Sequence, residues 1–432
     1  MMPIDFKPLK IIITQSNPNI EAINKEIQRL SLQYGIQGAF NALLRSQVAM
    51  GIRKPTLAIY DHTGHLIGGG QKYGFTIAYA LQDIFDITLL LNKEVTHDQI
   101  RQWYHLDLAS CKIKIIPLPF FDQFNTLHFD PARVTHRTQN PFHAISKESG
   151  NYDFFINNSM NEKVYPLSNE SIMICHFPER RPRDYFYSDR YTHVVYNSKY
   201  TAHWIQQKWK FKPHKHIYPP VDMAPSLSEI TPKENLILSV ARFEEGGSKK
   251  QLEMVQTFLK MRRRFPQLLE SWQLVLAGGS AHENDYLKQI RDLIAKSQNP
   301  NIQLLVNIPG DQLKELYHRA SIFWHLCGLD ATDPALVEHF GMTIVEAMQN
   351  RLVPIVFDGG GQKEIVEDDV SGYRVSDTPG LIHYSMKLIG DEILRNRLSQ
   401  NAYERSKSFT RQVFEDNVKL FFVKLLEEYK TI

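Results

Sequence analysis

Glu338-His339-Phe340-Gly341-Met342-Thr343-Ile344-Val345-Glu346-Ala347-Met348, followed by Val353-Pro354-Ile355-Val356-Phe357-Asp358 and Gly359-Gly360-Gly361, reads as helix, buried strand and glycine turn in succession. An apolar run without alternation marks a strand covered on both faces. The same succession recurs outward along the chain. Strand-like runs fall at 10–14, 57–61, 86–91, 112–117, 153–156, 171–177 and 193–197, and again at 235–243, 272–277, 301–306, 321–326, 353–358 and 372–375. Amphipathic helical stretches separate them. Buried strands alternating with helices form parallel sheets with helices on both faces, and two series imply an α/β fold of two doubly wound, Rossmann-like domains.

The division between the series is marked by Pro213, Pro219, Pro220, Pro225 and Pro232, a stretch with little periodicity. The expected organisation is an N-terminal domain over 1–218, a linker over 219–232, a second domain over 233–405 and a terminal helix over 406–432. Within the first domain, residues 1–55 are an extension without a functional reading. Val413, Val418, Phe421, Phe422, Leu425 and Leu426 give the terminal helix one apolar face.

The chain has 432 residues, 43% of them hydrophobic, enough for two ordinary cores. A formal net charge of +3 argues against nucleic acid as the main partner. Cys111, Cys175 and Cys327 sit in apolar runs without metal or disulfide spacing, which reads as reduced thiols in a cytoplasmic protein. No apolar run approaches a membrane span, and the first ten residues lack a signal core. Peripheral membrane contact is the one membrane role left open. The basic and aromatic run Arg180-Arg181-Pro182-Arg183-Asp184-Tyr185-Phe186-Tyr187, with Trp204, Lys208, Trp209, Lys210 and Lys212, would suit it or an anionic acceptor, although a solvated face is the commoner explanation of such a run.

Five segments carry candidate chemistry. Glu338 and Glu346 lie eight residues apart around a Phe-Gly turn. Carboxylates accept hydrogen bonds from sugar and ribose hydroxyls. Taken singly, Glu338 is a loop carboxylate, and Glu346 completes a capping box with Thr343. Arg242 leaves the end of an apolar strand and leads through Gly246-Gly247-Ser248 to Lys249 and Lys250. A bidentate Arg with a point-charge Lys suits a diphosphate; ordinary surface charges are the alternative. Gly68-Gly69-Gly70 follows a strand and opens a helix, where bare backbone amides can meet an anion, but its spacing matches neither a nicotinamide fingerprint nor a P-loop. His176 ends an apolar strand, and His325 stands in Phe323-Trp324-His325; a core or supporting role is the common fate of such histidines. No Asp-x-Asp, His-x-x-x-His or Cys-x-x-Cys pattern marks a metal site.

Together these residues resemble family 4 of the retaining glycosyltransferases, which have the GT-B fold. The resemblance covers about residues 57–430 and is strongest over 235–375, where Arg242 with Lys249, Glu338-x7-Glu346 and the Phe340-Gly341-Met342 turn occur in the family's order. Glu-His-Phe-Gly-Met with Phe-Trp-His upstream is most similar to the branch of lipid-linked-oligosaccharide mannosyltransferases and their bacterial relatives. Residue 241 departs from the family, being Ala where Gly is usual; the Gly-Gly-Ser-Lys-Lys loop is one residue short, and the Gly usual near Asn350-Arg351 is missing.

The resemblance implies two domains facing a cleft, with the last helix crossing back to the first. It implies transfer of a hexose from GDP-mannose or a UDP-hexose to a hydroxyl of a glycan, lipid-linked, small-molecule or protein acceptor, with retention and without an obligatory cofactor or metal. Arg242 and Lys249, with Lys250 as the alternative lysine, would hold the diphosphate. Glu338 would contact the sugar and Glu346 the ribose. Phe340, Gly341, Met342 and Thr343 would line the donor, Gly68, Gly69 and Gly70 would approach the diphosphate, and His176 would lie near the sugar. The competing readings are a non-hydrolysing sugar-nucleotide 2-epimerase and a non-catalytic sugar-nucleotide-binding protein.

Overall fold

The structure is a computed structural model and describes residues 20–124, 130–159, 161–179, 185–222 and 232–430. The strand expected at 10–14, the run Arg180-Arg181-Pro182-Arg183-Asp184 and the linker proline Pro225 lie outside the described residues. Chain contacts separate two compact units. One comprises Met1–Asn197, Thr201–Ile217 and Phe414–Ile432, and the other Ser198–Tyr200 and Tyr218–Val413.

The first unit is built on β1 (Thr56–Asp61), β2 (Asp86–Leu91), β3 (Lys112–Ile115), β4 (Phe154–Asn157), β5 (Glu170–Cys175), β6 (His193–Tyr196) and β7 (Lys215–His216), in the spatial order β3-β2-β1-β4-β5-β6-β7. Every pairing is parallel. Burial along β1 explains its unbroken apolar sequence. Leu57 and Ile59 enter the core on one face of the sheet, Ala58 and Tyr60 the core on the other. At about 1.5–3 kcal/mol per large apolar side chain, such double coverage holds a parallel sheet together.

The second unit repeats the plan with β8 (Leu236–Val240), β9 (Gln273–Gly278), β10 (Ile302–Val306), β11 (Ile322–His325), β12 (Val353–Phe357) and β13 (Tyr373–Val375), ordered β10-β9-β8-β11-β12-β13 and parallel throughout. The strand order reverses between β1 and β4 in the first sheet and between β8 and β11 in the second. Ligands of open α/β sheets bind outside the carboxyl ends of the strands at such a point.

Two details differ from the expected organisation. Lys215 and His216 form an edge strand within the proline-marked stretch, and Val221 is stitched to the segment before the last helix. The N–H of Val221 donates to Phe409 O, and that of Arg411 to Val221 O. Val413 stays with the second unit and is partly exposed, so the chain returns to the first unit only at Phe414. From there Phe414, Val418, Phe422, Leu425, Leu426 and Tyr429 of the helix Arg411–Lys430 pack into the first unit's core.

The extension has a structural role. The helix Ile20–Ala49 kinks at Gly35, whose φ of 77° is open to glycine. Its Arg45 donates to Tyr429 O, and Val48 joins the core. Nearby, the fully buried Asp153 accepts a bidentate pair from Arg53 at 2.6 and 2.7 Å, the Thr56 N–H and hydroxyl, and the Tyr429 hydroxyl at 2.8 Å. One carboxylate thereby joins the extension, the start of β1 and the last helix. Asp153→Ala removes the buried carboxylate that Arg53, Thr56 and Tyr429 share and should cost about 3–5 kcal/mol. Tyr429→Phe should cost about 1 kcal/mol. Urea denaturation followed by far-UV circular dichroism checks both, and an unmoved midpoint in Asp153→Ala contradicts the assignment.

Candidate functional site

Backbone pairing continues past β8. Ala241 N–H donates to Ala277 O and Phe243 N–H to Gly279 O. Side chains alternate along such a segment, so Phe243 turns into the core and Arg242 turns out. Its side chain is three-quarters exposed, and its guanidinium pairs with Glu244 at 2.6 Å. The loop then turns through Gly246 and Gly247 to Lys250, which caps the helix Gln251–Arg264 in a left-handed conformation. Lys250 Nζ folds back onto Glu253, whereas Lys249 Nζ reaches Glu338 Oε2 at 2.9 Å and lies 3.5 Å from Cys327 Sγ. The two lysines, alike in sequence, point to different partners.

Glu338 receives a second contact from His325 at the end of β11, with Nε2 at 3.4 Å from the same oxygen. His325 Nδ1 lies 2.9 Å from Gln362 Oε1, and Gln362 Nε2 donates to Cys327 O at 2.8 Å. Burial alone would push the Glu338 carboxyl up, but Lys249 and His325 beside it hold it well below the usual carboxylate range. Burial works against the Lys249 ammonium, yet Glu338 raises its pKa. The Cys327 thiol is pushed up to about 12, by burial first and then by Glu338.

The glycine triplet supports this loop from behind. Gly361 N–H donates to Glu338 O at 2.8 Å. A Cβ on Gly360 would overlap that same carbonyl, and one on Gly361 the His339 carbonyl. The Gly361 N–H is thus taken by the protein, and the glycines of the triplet serve close backbone packing. Phe340 is buried against Tyr218 and Phe409. Gly341, with φ of 112°, caps the helix Met342–Gln349. The capping box read at Thr343 and Glu346 is therefore absent: the cap is two residues earlier and has no side-chain bond. The amides of Met342 and Thr343 fall in the first turn, where helical geometry supplies no internal acceptor. Glu346 faces the neighbouring helix Gly310–Arg319 instead, accepting from the Tyr317 hydroxyl at 2.9 Å.

In the first unit a second cluster stands at the carboxyl ends of β1, β4 and β5. Gly68 N–H donates to the Tyr104 hydroxyl, and Gly69 opens the helix Gly69–Leu81. A methyl at Gly70 would lie 3.5 Å from His176 Nε2. The His176 ring stands edge-on to Tyr73 at 5.2 Å. Asn158 joins Asp61 to Gly70 O at 2.7 and 2.8 Å. Trp209, part of the aromatic stretch offered as a membrane face, is buried in the first unit's core.

Glu338, Lys249 and the Phe340-Gly341-Met342 turn are thus brought together, and Arg242 and Lys250 are not drawn into the same network. Gln362, Cys327, Tyr317 and Asn158 were missed. Only Gln362 carried a signal, its place directly after the glycine triplet; the partners of the other three come from distant segments.

Two outcomes follow from this geometry. Gly360→Ala must displace the Glu338 loop, which limited proteolysis of the second unit reads as faster cleavage near residue 338. A carboxylate whose folded pKa is depressed stabilises fully above its unfolded value and loses that contribution as pH falls through the folded one. The stability tied to Glu338 is therefore present above about pH 4.5 and lost below it. Glu338→Gln should flatten the fall in urea midpoint in that acid window, and parallel curves for variant and parent would contradict the ion pair.

Residues 226–405 match the family described as glycosyl transferases group 1. A Mus musculus protein named GDP-Man:Man(3)GlcNAc(2)-PP-Dol alpha-1,2-mannosyltransferase is 28% identical over 241 residues, 51% of this chain and 46% of its own. A Mus musculus alpha-1,3/1,6-mannosyltransferase is 24% identical over 297 residues, 59% of this chain and 68% of its own. The chain spans about half the length of the alpha-1,2-mannosyltransferases it matches. Among solved structures, Anabaena Alr3699/HepE in complex with UDP and glucose superposes with a TM-score of 0.63 at 15% identity, covering 85% of this chain and 99% of that one. Two parallel Rossmann-like sheets with this likeness are the GT-B fold, and residues 226–405 of the chain are a glycosyl transferases group 1 domain.

Proposed function

We propose that the protein is a retaining glycosyltransferase that moves a hexose from a nucleoside-diphosphate sugar to an acceptor hydroxyl. The observation that carries this reading is the Lys249–Glu338 ion pair at 2.9 Å. It sits beside the first turn of the helix Met342–Gln349, in the domain whose strand order reverses between β8 and β11. A cation, a carboxylate and bare amides in one place match the three parts of such a donor: diphosphate, sugar hydroxyls and phosphate oxygens.

In the proposed reaction the acceptor hydroxyl attacks the anomeric carbon on the face from which the diphosphate departs. The bond to the diphosphate oxygen breaks, the acceptor proton passes to that oxygen, and configuration is retained. Lys249 stabilises the leaving charge, joined by Arg242, which needs only to exchange Glu244 for phosphate at the protein surface. Positioning and fixed charge then supply the rate. Glu338 accepts from sugar hydroxyls. Glu346, held by Tyr317, accepts from ribose. Gly68, Gly69, Gly70 and His176 are proposed as further ligand contacts within the first unit. Donors of the GDP-mannose and UDP-hexose classes, and lipid-linked or other glycan acceptors, accord with the names of the relatives. Among the described residues no helix is long and apolar enough to cross a membrane; peripheral contact with a membrane belongs to this proposal.

The test is a screen of GDP-mannose, UDP-glucose, UDP-N-acetylglucosamine and UDP-galactose, by thermal shift and nucleoside-diphosphate release, with and without EDTA. One donor should stabilise the protein, Arg242→Ala should weaken that stabilisation, and Glu338→Gln should slow release by about 100-fold or more. EDTA should leave the rate unchanged. An epimerised donor with no transfer would replace this reading with the epimerase, and binding without turnover would replace it with a non-catalytic binder.

A further inference from the structure

We infer that His325, held by Gln362 at Nδ1 and by Glu338 at Nε2, carries a hydrogen on both ring nitrogens and is thereby a second clamp on Glu338, which makes Gln362 a positioning residue for the reaction proposed above, on which this inference rests. Gln362 is fully buried at the start of its short helix. Its Nε2 donates to Cys327 O at 2.8 Å and faces Gly359 O at 3.5 Å. Both partners are carbonyls, which only accept. The amide therefore cannot be turned over without setting oxygen against oxygen, and Oε1 must face His325 Nδ1 at 2.9 Å. Nδ1 consequently carries a hydrogen.

That choice determines what the other edge of the ring can do. His325 Nε2 lies 3.4 Å from Glu338 Oε2. With a hydrogen on Nδ1 alone, Nε2 would aim its lone pair at a carboxylate, which is repulsive. The contact holds the carboxylate only when Nε2 carries a hydrogen as well. Glu338 Oε2 is then gripped from two sides, by the Lys249 ammonium at 2.9 Å and by the His325 ring. With Oε2 occupied twice, Oε1 is the oxygen presented to a ligand hydroxyl. The chain Cys327 O, Gln362, His325, Glu338 joins the ends of β11 and β12 to the loop before the helix Met342–Gln349, and sets the direction in which the carboxylate faces.

The test uses the full chain with 15N-labelled histidine and the variants Gln362→Leu, His325→Leu and His325→Gln, the last placing an amide N–H near the position of Nε2. The His325 signals are assigned by their loss in His325→Gln. In the parent both ring nitrogens should have protonated-type shifts, and Gln362→Leu should convert Nδ1 to the unprotonated type, leaving a neutral Nε2–H as a weaker donor to Glu338. Gln362→Leu should also lower kcat for nucleoside-diphosphate release about ten-fold or more. KM for the donor should stay within about two-fold, and the melting temperature within about 3 °C. His325→Gln should retain more activity than His325→Leu. An unprotonated nitrogen of either kind in the parent ring, or ring signals unchanged in Gln362→Leu, overturns the inference. So does a loss of kcat matched by equal losses of donor affinity and melting temperature, which is what a merely structural residue would give. If the parent releases nucleoside diphosphate from no donor, the proposed function fails, and the ring signals decide the clamp without it.

Discussion

A carboxylate withdrawn from water must be met by charge and hydrogen-bond donors, and the second unit is organised around that requirement at Glu338. Its side chain is only 18% exposed. Left alone, a carboxyl so placed would hold its proton. Lys249 and His325 reverse that preference, and each is brought by a different segment: the loop after β8 and the end of β11. The backbone of the Glu338 loop is fixed independently, by the Gly361 amide and by glycines at 360 and 361 that leave no room for a side chain. Charge holds the tip of the residue and steric closeness holds its base.

The first unit solves a similar problem for structure. Asp153 is fully buried and receives Arg53, Thr56 and Tyr429. Breaking a buried pair costs far more than forming it contributes. The carboxylate ties the extension, the first strand and the last helix to one another. Residues 1–55 carry no functional motif, and part of this stretch, through Arg45, Val48 and Arg53, secures the terminal helix.

The contrast between Lys249 and Lys250 shows where reading by residue type ends. Both follow a Gly-Gly-Ser loop, and either could serve a diphosphate by charge. The left-handed cap at Lys250 rotates the chain between them, so one side chain turns to Glu338 and the other runs along its own helix. Thr343 makes the same point. Spacing alone allows a capping box with Glu346, but Gly341 starts the helix two residues earlier, and Glu346 is claimed by Tyr317 from another helix. Arg242, assigned beside Lys249 by resemblance, extends into solvent with Glu244.

The central strands, their burial on both faces and the two-sheet plan were legible in the sequence. Unbroken apolar runs between amphipathic stretches permit few arrangements, and right-handed crossovers leave fewer still. The glycines around residues 341 and 360 were legible as special positions for a related reason, since side chains rarely tolerate such backbone geometry. The tertiary structure alone decided which charged groups meet. Lys249 and Glu338 are 89 residues apart, and His325 and Gln362 are 37. Ion pairs and hydrogen bonds act over a few ångströms and have no period along the chain, so their partners are known only once the strands have set the ends of their loops side by side.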